Sequence, residues 1–158
     1  MNKIQLKTEV NNLLTKNKFN WIVHFPEANI FEENVQIIHH YQAELNYLPQ
    51  YKELLYPRLK NFTNFIESQK NNNHTSIKSL LDLTILYYHP IKETFINPTI
   101  FEIMTVKQPV LIVHIDFKLR PLSKLPTKPR RLERWLEEDW SEKDKMIDAI
   151  KTQLKMTR

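Results

Sequence analysis

Residues 79–88 read S-L-L-D-L-T-I-L-Y-Y, and this stretch decides the fold. Its β-branched and aromatic richness predicts a central β-strand, with Asp82 as the one polar intruder and Pro90 as the stop. Working outward, V-L-I-V-H-I-D-F-K-L at 110–119 predicts the longest strand. Its second half alternates, with Ile115, Phe117 and Leu119 on one side and His114, Asp116 and Lys118 on the other, as in a strand near a sheet edge with one solvated face. On the N-terminal side, W-I-V-H-F-P-E-A-N at 21–29 predicts a short buried strand over Trp21–Phe25. Pro26 closes it and delivers Glu27 into a loop. Leu54–Tyr56, ended by Pro57 and followed by Arg58, repeats that layout.

Helices fall between these runs. Leu6, Val10, Leu13 and Leu14 lie at helical spacing within 3–16, and 32–47 suits a surface helix stopped before Pro49. Phe62, Phe65 and Ile66 give 61–69 one apolar face and predict a short helix over the sheet, followed by the polar turn 70–73. Residues 91–108 are irregular, with a turn of helix at 99–104, and 121–126 is an extended connector. From Arg130 onward Leu132, Trp135, Leu136, Trp140, Ile147, Ile150 and Leu154 recur at threes and fours, which predicts a long amphipathic C-terminal helix over 129–156, bent near Ser141. The expected fold is an α/β layered domain of about four strands with flanking helices. With so few strands, an edge or face of the sheet is left without cover.

Composition narrows the chemistry. The 158 residues fit one domain of ordinary globular make-up, 41% hydrophobic and 26% charged. There is no cysteine, which removes disulfides, thiolate nucleophiles and cysteine-built metal sites. There is also no glycine, where ordinary usage would supply roughly eleven. Phosphate loops, nucleophile elbows and dinucleotide fingerprints all require glycine, so they are excluded, and turns must use Asn and Pro. A net charge of +5 favours an anionic partner without choosing among phosphates, membrane surface and nucleic acid. No apolar run approaches the roughly eighteen residues of a spanning helix, and the N-terminus lacks the apolar core of a secretory signal.

Six histidines bring no metal motif: His39 and His40 are adjacent, the others are scattered, and none is paired at i, i+4. No serine sits in a nucleophile frame, so no catalytic residue is assigned. The basic segment from Lys118 to Arg134 would suit an anionic membrane surface. Nucleic acid is the weaker fit, because Trp135 and Trp140 lie on the apolar helix face rather than along a groove.

Five blocks, in order, carry a resemblance. They are F-P-E-A-N at 25–29, L-L-Y-P-R at 54–58, L-L-D-L-T-I-L-Y-Y at 80–88, V-H-I-D-F-K-L-R-P-L-S-K-L-P at 113–126 and R-L-E-R-W-L-E-E-D-W-S-E-K-D-K-M at 131–146. Together they resemble the C-terminal portion of the eukaryotic lysophospholipid acyltransferases, the branch of lysophosphatidic acid and lysocardiolipin acyltransferases. The resemblance implies a partial glycerolipid-acyltransferase-like layered domain over 1–158, with acyl-CoA and a lysophospholipid as substrates and no cofactor. It also implies a peripheral seat on the cytoplasmic face of the endoplasmic reticulum, and a full-length relative as a further partner.

Phe25, Pro26 and Glu27 match the family's F-P-E-G-T block, and Pro57 and Arg58 match its P-R block, which the resemblance assigns to the acceptor-phosphate and acyl-CoA site. Arg58 suits a phosphate, since a guanidinium offers a fixed fork of donors. Glu27 would repel phosphate unless it orients donors or a basic side chain. Two departures stand out. Ala28-Asn29 replaces Gly-Thr, and the family's His-x4-Asp pair, a general base held by a carboxylate, occurs nowhere in the chain. The family's second, phosphate-binding block is absent as well. At that offset His24 meets Asn29 and His39 meets Glu44. The expectation is a module that is inert by itself; the alternative is a noncatalytic module that binds a membrane surface or a partner.

Overall fold

The computed structural model describes residues 21–70, 77–105 and 111–156, so the helix expected at 3–16 lies outside the described residues. Within them the chain is α/β. Helix α1 spans Glu33–Leu45, α2 Leu59–Lys70, strand β1 Ser79–His89, β2 Thr94–Ile96, α3 Ile100–Thr105, β3 Ile112–Pro121 and helix α4 Pro129–Met156, with one turn of 3-10 helix at Leu122–Lys124.

The sheet has three antiparallel strands in the order β2-β1-β3. β1 is central as expected, and pairs with β3 from Ser79↔Pro121 to Tyr88↔Ile112. β2, a strand within a stretch expected to be irregular, pairs only with the end of β1, at Tyr87↔Ile96, Tyr88↔Phe95 and His89↔Thr94. Two expected strands are not strands. Trp21–Phe25 is in no ladder, and Leu54–Tyr56 is a loop with Leu55 buried at its centre. A strand exists only where a neighbour accepts its hydrogen bonds, and neither segment has one among the described residues. Among the described residues the sheet therefore has three strands where about four were expected.

The core lies between α2 and α4. Phe62, Phe65 and Ile66 of α2 meet Leu132, Leu136 and Trp140 of α4, with Tyr51, Leu122 and Leu125 filling in. Both tryptophans of α4 join it, Trp140 buried and Trp135 stacked on Phe62 at 6.1 Å, as their place on the apolar face requires. α2 thus packs chiefly on the long helix, and Leu80 of β1 packs against the same core. α3 opens with a reciprocal cap: Glu102 accepts from the Thr99 amide at 2.7 Å, and its own amide donates to Thr99 Oγ1 at 3.2 Å.

The sheet is oriented against expectation. β3 alternates, and it is an edge strand, but its apolar side is the solvated one: Ile115, Phe117 and Leu119 are exposed while His114, Asp116, Lys118 and Arg120 are half-buried. β1 agrees in sense, with Leu81, Leu83 and Ile85 exposed opposite Leu119, Phe117 and Ile115. The inner side is charged. Lys143 of α4 pairs with Asp82, and Arg120 pairs with Asp139 and lies over the Trp135 ring at 5.3 Å. Asp139 and Lys143 are buried, so this charged layer holds α4 under the sheet at a desolvation cost that an apolar interface would not carry.

Lacking glycine, the chain places Ala28, Tyr47 and Glu93 at positive φ, of 58°, 53° and 53°, where the sequence had suggested Asn. Tyr47 ends α1 in a two-bond C-terminal cap, with the Leu48 amide on Ala43 O at 2.9 Å and the Tyr47 amide on Glu44 O at 3.3 Å.

Candidate functional site

The loops expected to carry chemistry are built against one another. Pro26 and Glu27 form a turn closed by the Ala28 amide on Phe25 O at 3.2 Å, after which the chain enters the left-handed region at Ala28, φ 58°. That conformation costs an alanine roughly 1–2 kcal/mol and a glycine almost nothing, which gives a backbone reason for glycine at this position in the F-P-E-G-T pattern. The Arg58 amide then donates to Pro26 O at 2.7 Å. This bond joins the 25–29 block to the 54–58 block, which the sequence could only set side by side as similar motifs.

The second loop is held by α4. Tyr51 Oη donates to Glu137 O at 3.2 Å, Tyr56 Oη donates to the Glu137 carboxylate, and Trp140 Nε1 donates to Leu55 O at 3.1 Å. Asp144 accepts two backbone amides, those of Glu53 at 2.7 Å and Lys52 at 3.1 Å. Burial and Glu137 together raise both phenols, Tyr51 to about 12. From α1, Gln36 and His40 reach back to the carbonyls of Tyr51 and Lys52. The W-L-E-E-D-W-S-E-K-D block is therefore the brace of L-L-Y-P-R, which amphipathic spacing alone does not convey.

Between this frame and α1 opens a cleft of about 1580 Å³, lined by Ala28, Asn29, His39, Pro57, Arg58 and Lys60 among others. Pro57 is fully buried and Arg58 is exposed at its mouth. Arg58 is also where α2 begins: its carbonyl takes the first helical bonds, from Asn61 at 3.0 Å and Phe62 at 3.3 Å. The guanidinium thus stands at the positive end of a helix dipole, beside Lys60, an arrangement that favours an anion. Glu32 and Glu133 also line the cleft and set a negative margin to it.

Not every expected site residue faces this cleft. Phe25 is exposed on the other side of the turn, beside β1. Glu27 points inward under the Leu55 loop. Burial raises its carboxyl to about 7, only partly offset by the Leu55 amide, Lys143 and the Trp140 indole, with Asp144 adding to the rise. Its position ties the turn to the brace, the orienting alternative to phosphate contact. His39, which meets Glu44 and not an Asp at the family's offset, lies in the cleft with its Nε2 3.4 Å from Asn29 Nδ2, and burial together with the Arg58 charge lowers its pKa. Only the fold shows this, because His39 and Arg58 share no motif.

Among the described residues the His39 ring meets Asn29, Arg58 and His40 and no carboxylate. Among the described residues no cluster of His, Asp and Glu is arranged to hold a metal ion, and no helix is long and apolar enough to cross a membrane. Of the basic segment, Lys124, Lys128, Arg130, Arg131 and Arg134 are exposed, while Lys118 and Arg120 turn under the sheet.

The chain is similar to lysocardiolipin acyltransferase 1 of Gallus gallus, 26% identical over 78% of this chain, and to that of Mus musculus, 24% over 80%. It is also similar to an uncharacterized acyltransferase of Schizosaccharomyces pombe, 27% identical over 82% of this chain. The aligned segments cover 30%, 31% and 36% of those proteins, so the chain spans about a third of the length of these relatives. No family model and no solved structure matches.

Proposed function

The sequence is lysophospholipid acyltransferase-like, and we propose that the chain is the C-terminal, substrate-side module of such a protein, a partial glycerolipid-acyltransferase-like layered domain. The observation that carries this reading is the Arg58 amide bond to Pro26 O, which unites the two motif blocks and sets the Arg58 guanidinium at the start of α2 inside the cleft. Arg58 and Lys60 bind the phosphate of a lysophospholipid or of acyl-CoA, Pro57 and Leu55 fix the Arg58 backbone, and Glu27 anchors the turn from below. The reaction requires a base on the acceptor hydroxyl. Among the described residues no carboxylate orients His39, and the chain has no His-x4-Asp, so the 158 residues alone do not transfer the acyl group. The module acts at the cytoplasmic face of the endoplasmic reticulum, with the exposed cations from Lys124 to Arg134 toward anionic lipid.

The test is titration of the purified chain with lysophosphatidic acid and with acyl-CoA, in parallel with turnover. Saturable binding that Arg58→Ala weakens by about tenfold or more, without turnover, is the expected result. Acyl transfer by the chain alone would refute the inert assignment, and loss of that activity in His39→Ala would identify its base.

A second reading, a noncatalytic docking module, is favoured by one observation. The outer face of the sheet, formed by Leu81, Leu83, Ile85, Ile115, Phe117 and Leu119, is contiguous, apolar and exposed. Vesicle flotation separates the two: binding to neutral as well as anionic vesicles, unaffected by Arg58→Ala, belongs to that face.

A further inference from the structure

A second cavity, of about 510 Å³, lies on the side of β1 away from β3. One flank is β1, contributing both the outward Leu81 and Leu83 and the inward Leu80 and Asp82; the other is Trp21–Phe25, also with both parities. A cavity lined by both parities of a strand runs along its edge, because alternate side chains leave on opposite faces. The floor is apolar, with Phe65 of α2 and Leu136 and Trp140 of α4.

Among the described residues both flanks lack a strand partner along the slot. β2 covers β1 only at Tyr87–His89, so from Ser79 to Leu86 the edge away from β3 pairs with no strand among the described residues, although Leu83 O accepts from Lys143 Nζ at 3.5 Å. Trp21–Phe25 belongs to no ladder but alternates in exposure as a strand does, with Trp21, Val23 and Phe25 exposed like Leu81, Leu83 and Ile85. At the floor, His24 Nδ1 is buried without a hydrogen-bond partner among the described residues, its ring stacked on Phe65 at 5.5 Å. An acyl chain in this slot would bury those amides and carbonyls unsatisfied, which is costly for every group. A β-strand would offer hydrogen-bond partners along both flanks at once.

We propose that the slot receives an added β-strand, an extended segment from outside these 158 residues, apolar on both faces, which binds between Trp21–Phe25 and Ser79–Leu86 and joins them into one sheet. The apolar floor and outer face demand side chains that are apolar in both directions, as in a buried central strand. This chain has none to spare. Outside the described residues its longest consecutive apolar run is Leu13-Leu14, and the long runs within them already form β1 and β3. The same shortage excludes a second copy as donor. Occupancy would also give Trp21–Phe25 the strand state that its composition favours.

The test is amide hydrogen exchange by NMR on the full chain, alone and with probe peptides. The probes are a lysine-flanked Ile-Val-Ile-Val-Ile peptide and short peptides tiled across the part of the Gallus gallus relative outside its aligned segment. The tiled probes rest on the acyltransferase-like reading. The designed one does not, and protection is read without turnover, so the two readings fail separately. Alone, the β1 amides directed away from β3 should exchange at least about tenfold faster than those directed toward it. A probe should protect them and shift the emission of the exposed Trp21 to the blue, with Leu83→Lys weakening it by about tenfold.

Four results would each overturn the proposal. They are protection in the isolated chain independent of concentration, which means the chain fills its own slot; protection that grows with concentration, which means a second copy; a Trp21 shift with lysophospholipid but no protection with any peptide, which means an acyl-chain pocket; and no response to any probe.

Discussion

Replacing Glu27 by Gln should flatten the pH dependence of stability between pH 5 and 8. Burial raises the Glu27 carboxyl from 4.5 to about 7. Over that interval the folded chain holds a proton at Glu27 that the unfolded chain has released, so stability is greatest below the unfolded pKa and falls as pH rises through 7. With a folded value of about 7 and an unfolded value of 4.5, the difference between pH 5 and pH 8 works out at about 2.5 kcal/mol, at 1.36 kcal/mol per pH unit for each proton of difference. Gln retains an acceptor near the Leu55 amide and the Trp140 indole but has no charge to bury, so this loss vanishes in the variant. His24 and His39, both lowered by burial, act in the opposite direction: the unfolded chain binds their protons first as pH falls through 6.5, which lowers stability there. The assay is therefore a difference. Urea unfolding followed by tryptophan fluorescence, at pH 5 and pH 8 for both chains, should give a gap that opens by about 2.5 kcal/mol toward high pH. An equal pH dependence in the two chains would refute the inward placement of Glu27 and would return the carboxylate to the cleft.

Other consequences follow from the same geometry. Ala28→Gly removes a left-handed alanine and should stabilise the chain by about 0.5–1 kcal/mol in urea unfolding, despite the added freedom of the unfolded backbone. Phe117→Ser, at a side chain 66% exposed, should cost under about 1 kcal/mol, against about 3–5 for Phe62, which is 3% exposed, changed to Ala; a large loss at Phe117 would mean that the outer face is covered. Lys143→Met leaves Asp82 facing a buried layer and should cost about 3–5 kcal/mol, most of it recovered by Asp82→Leu in the same chain. Arg58→Ala should abolish the salt-sensitive part of lysophosphatidic acid binding in calorimetry while leaving the melting temperature unchanged, because the Arg58 side chain is exposed and its structural bond is made by the backbone amide.

Much of the frame was legible in the chain itself. β1, β3 and α4 are long, strongly patterned segments, and their spacing alone places them, with Trp135 and Trp140 on the packed face of α4. The five ordered blocks carried the resemblance to acyltransferases, and the relatives agree with it. Short segments were harder. Trp21–Phe25 and Leu54–Tyr56 have strand composition without a ladder, since pairing depends on a neighbour and not on the residues themselves. The candidate site was half visible: Arg58 was marked by its Pro57-Arg58 pattern, while His39 entered the cleft only through the placement of α1.

What the sequence determined by itself is the long elements β1, β3 and α4, the exclusion of glycine- and cysteine-dependent chemistry, and the alternation of β3, because these depend on side-chain type and local period alone. Which side of that alternation faces water was decided by tertiary structure. The period of two is the same whether Phe117 or Lys118 points inward, and the choice was made by Asp139 and Lys143 on α4, residues that pair with Arg120 and Asp82 across the interface and draw the polar side beneath the sheet. The direction of Glu27 was decided in the same way, by the Leu55 loop and Trp140 that bury it, contacts made between distant parts of the chain that no local pattern encodes.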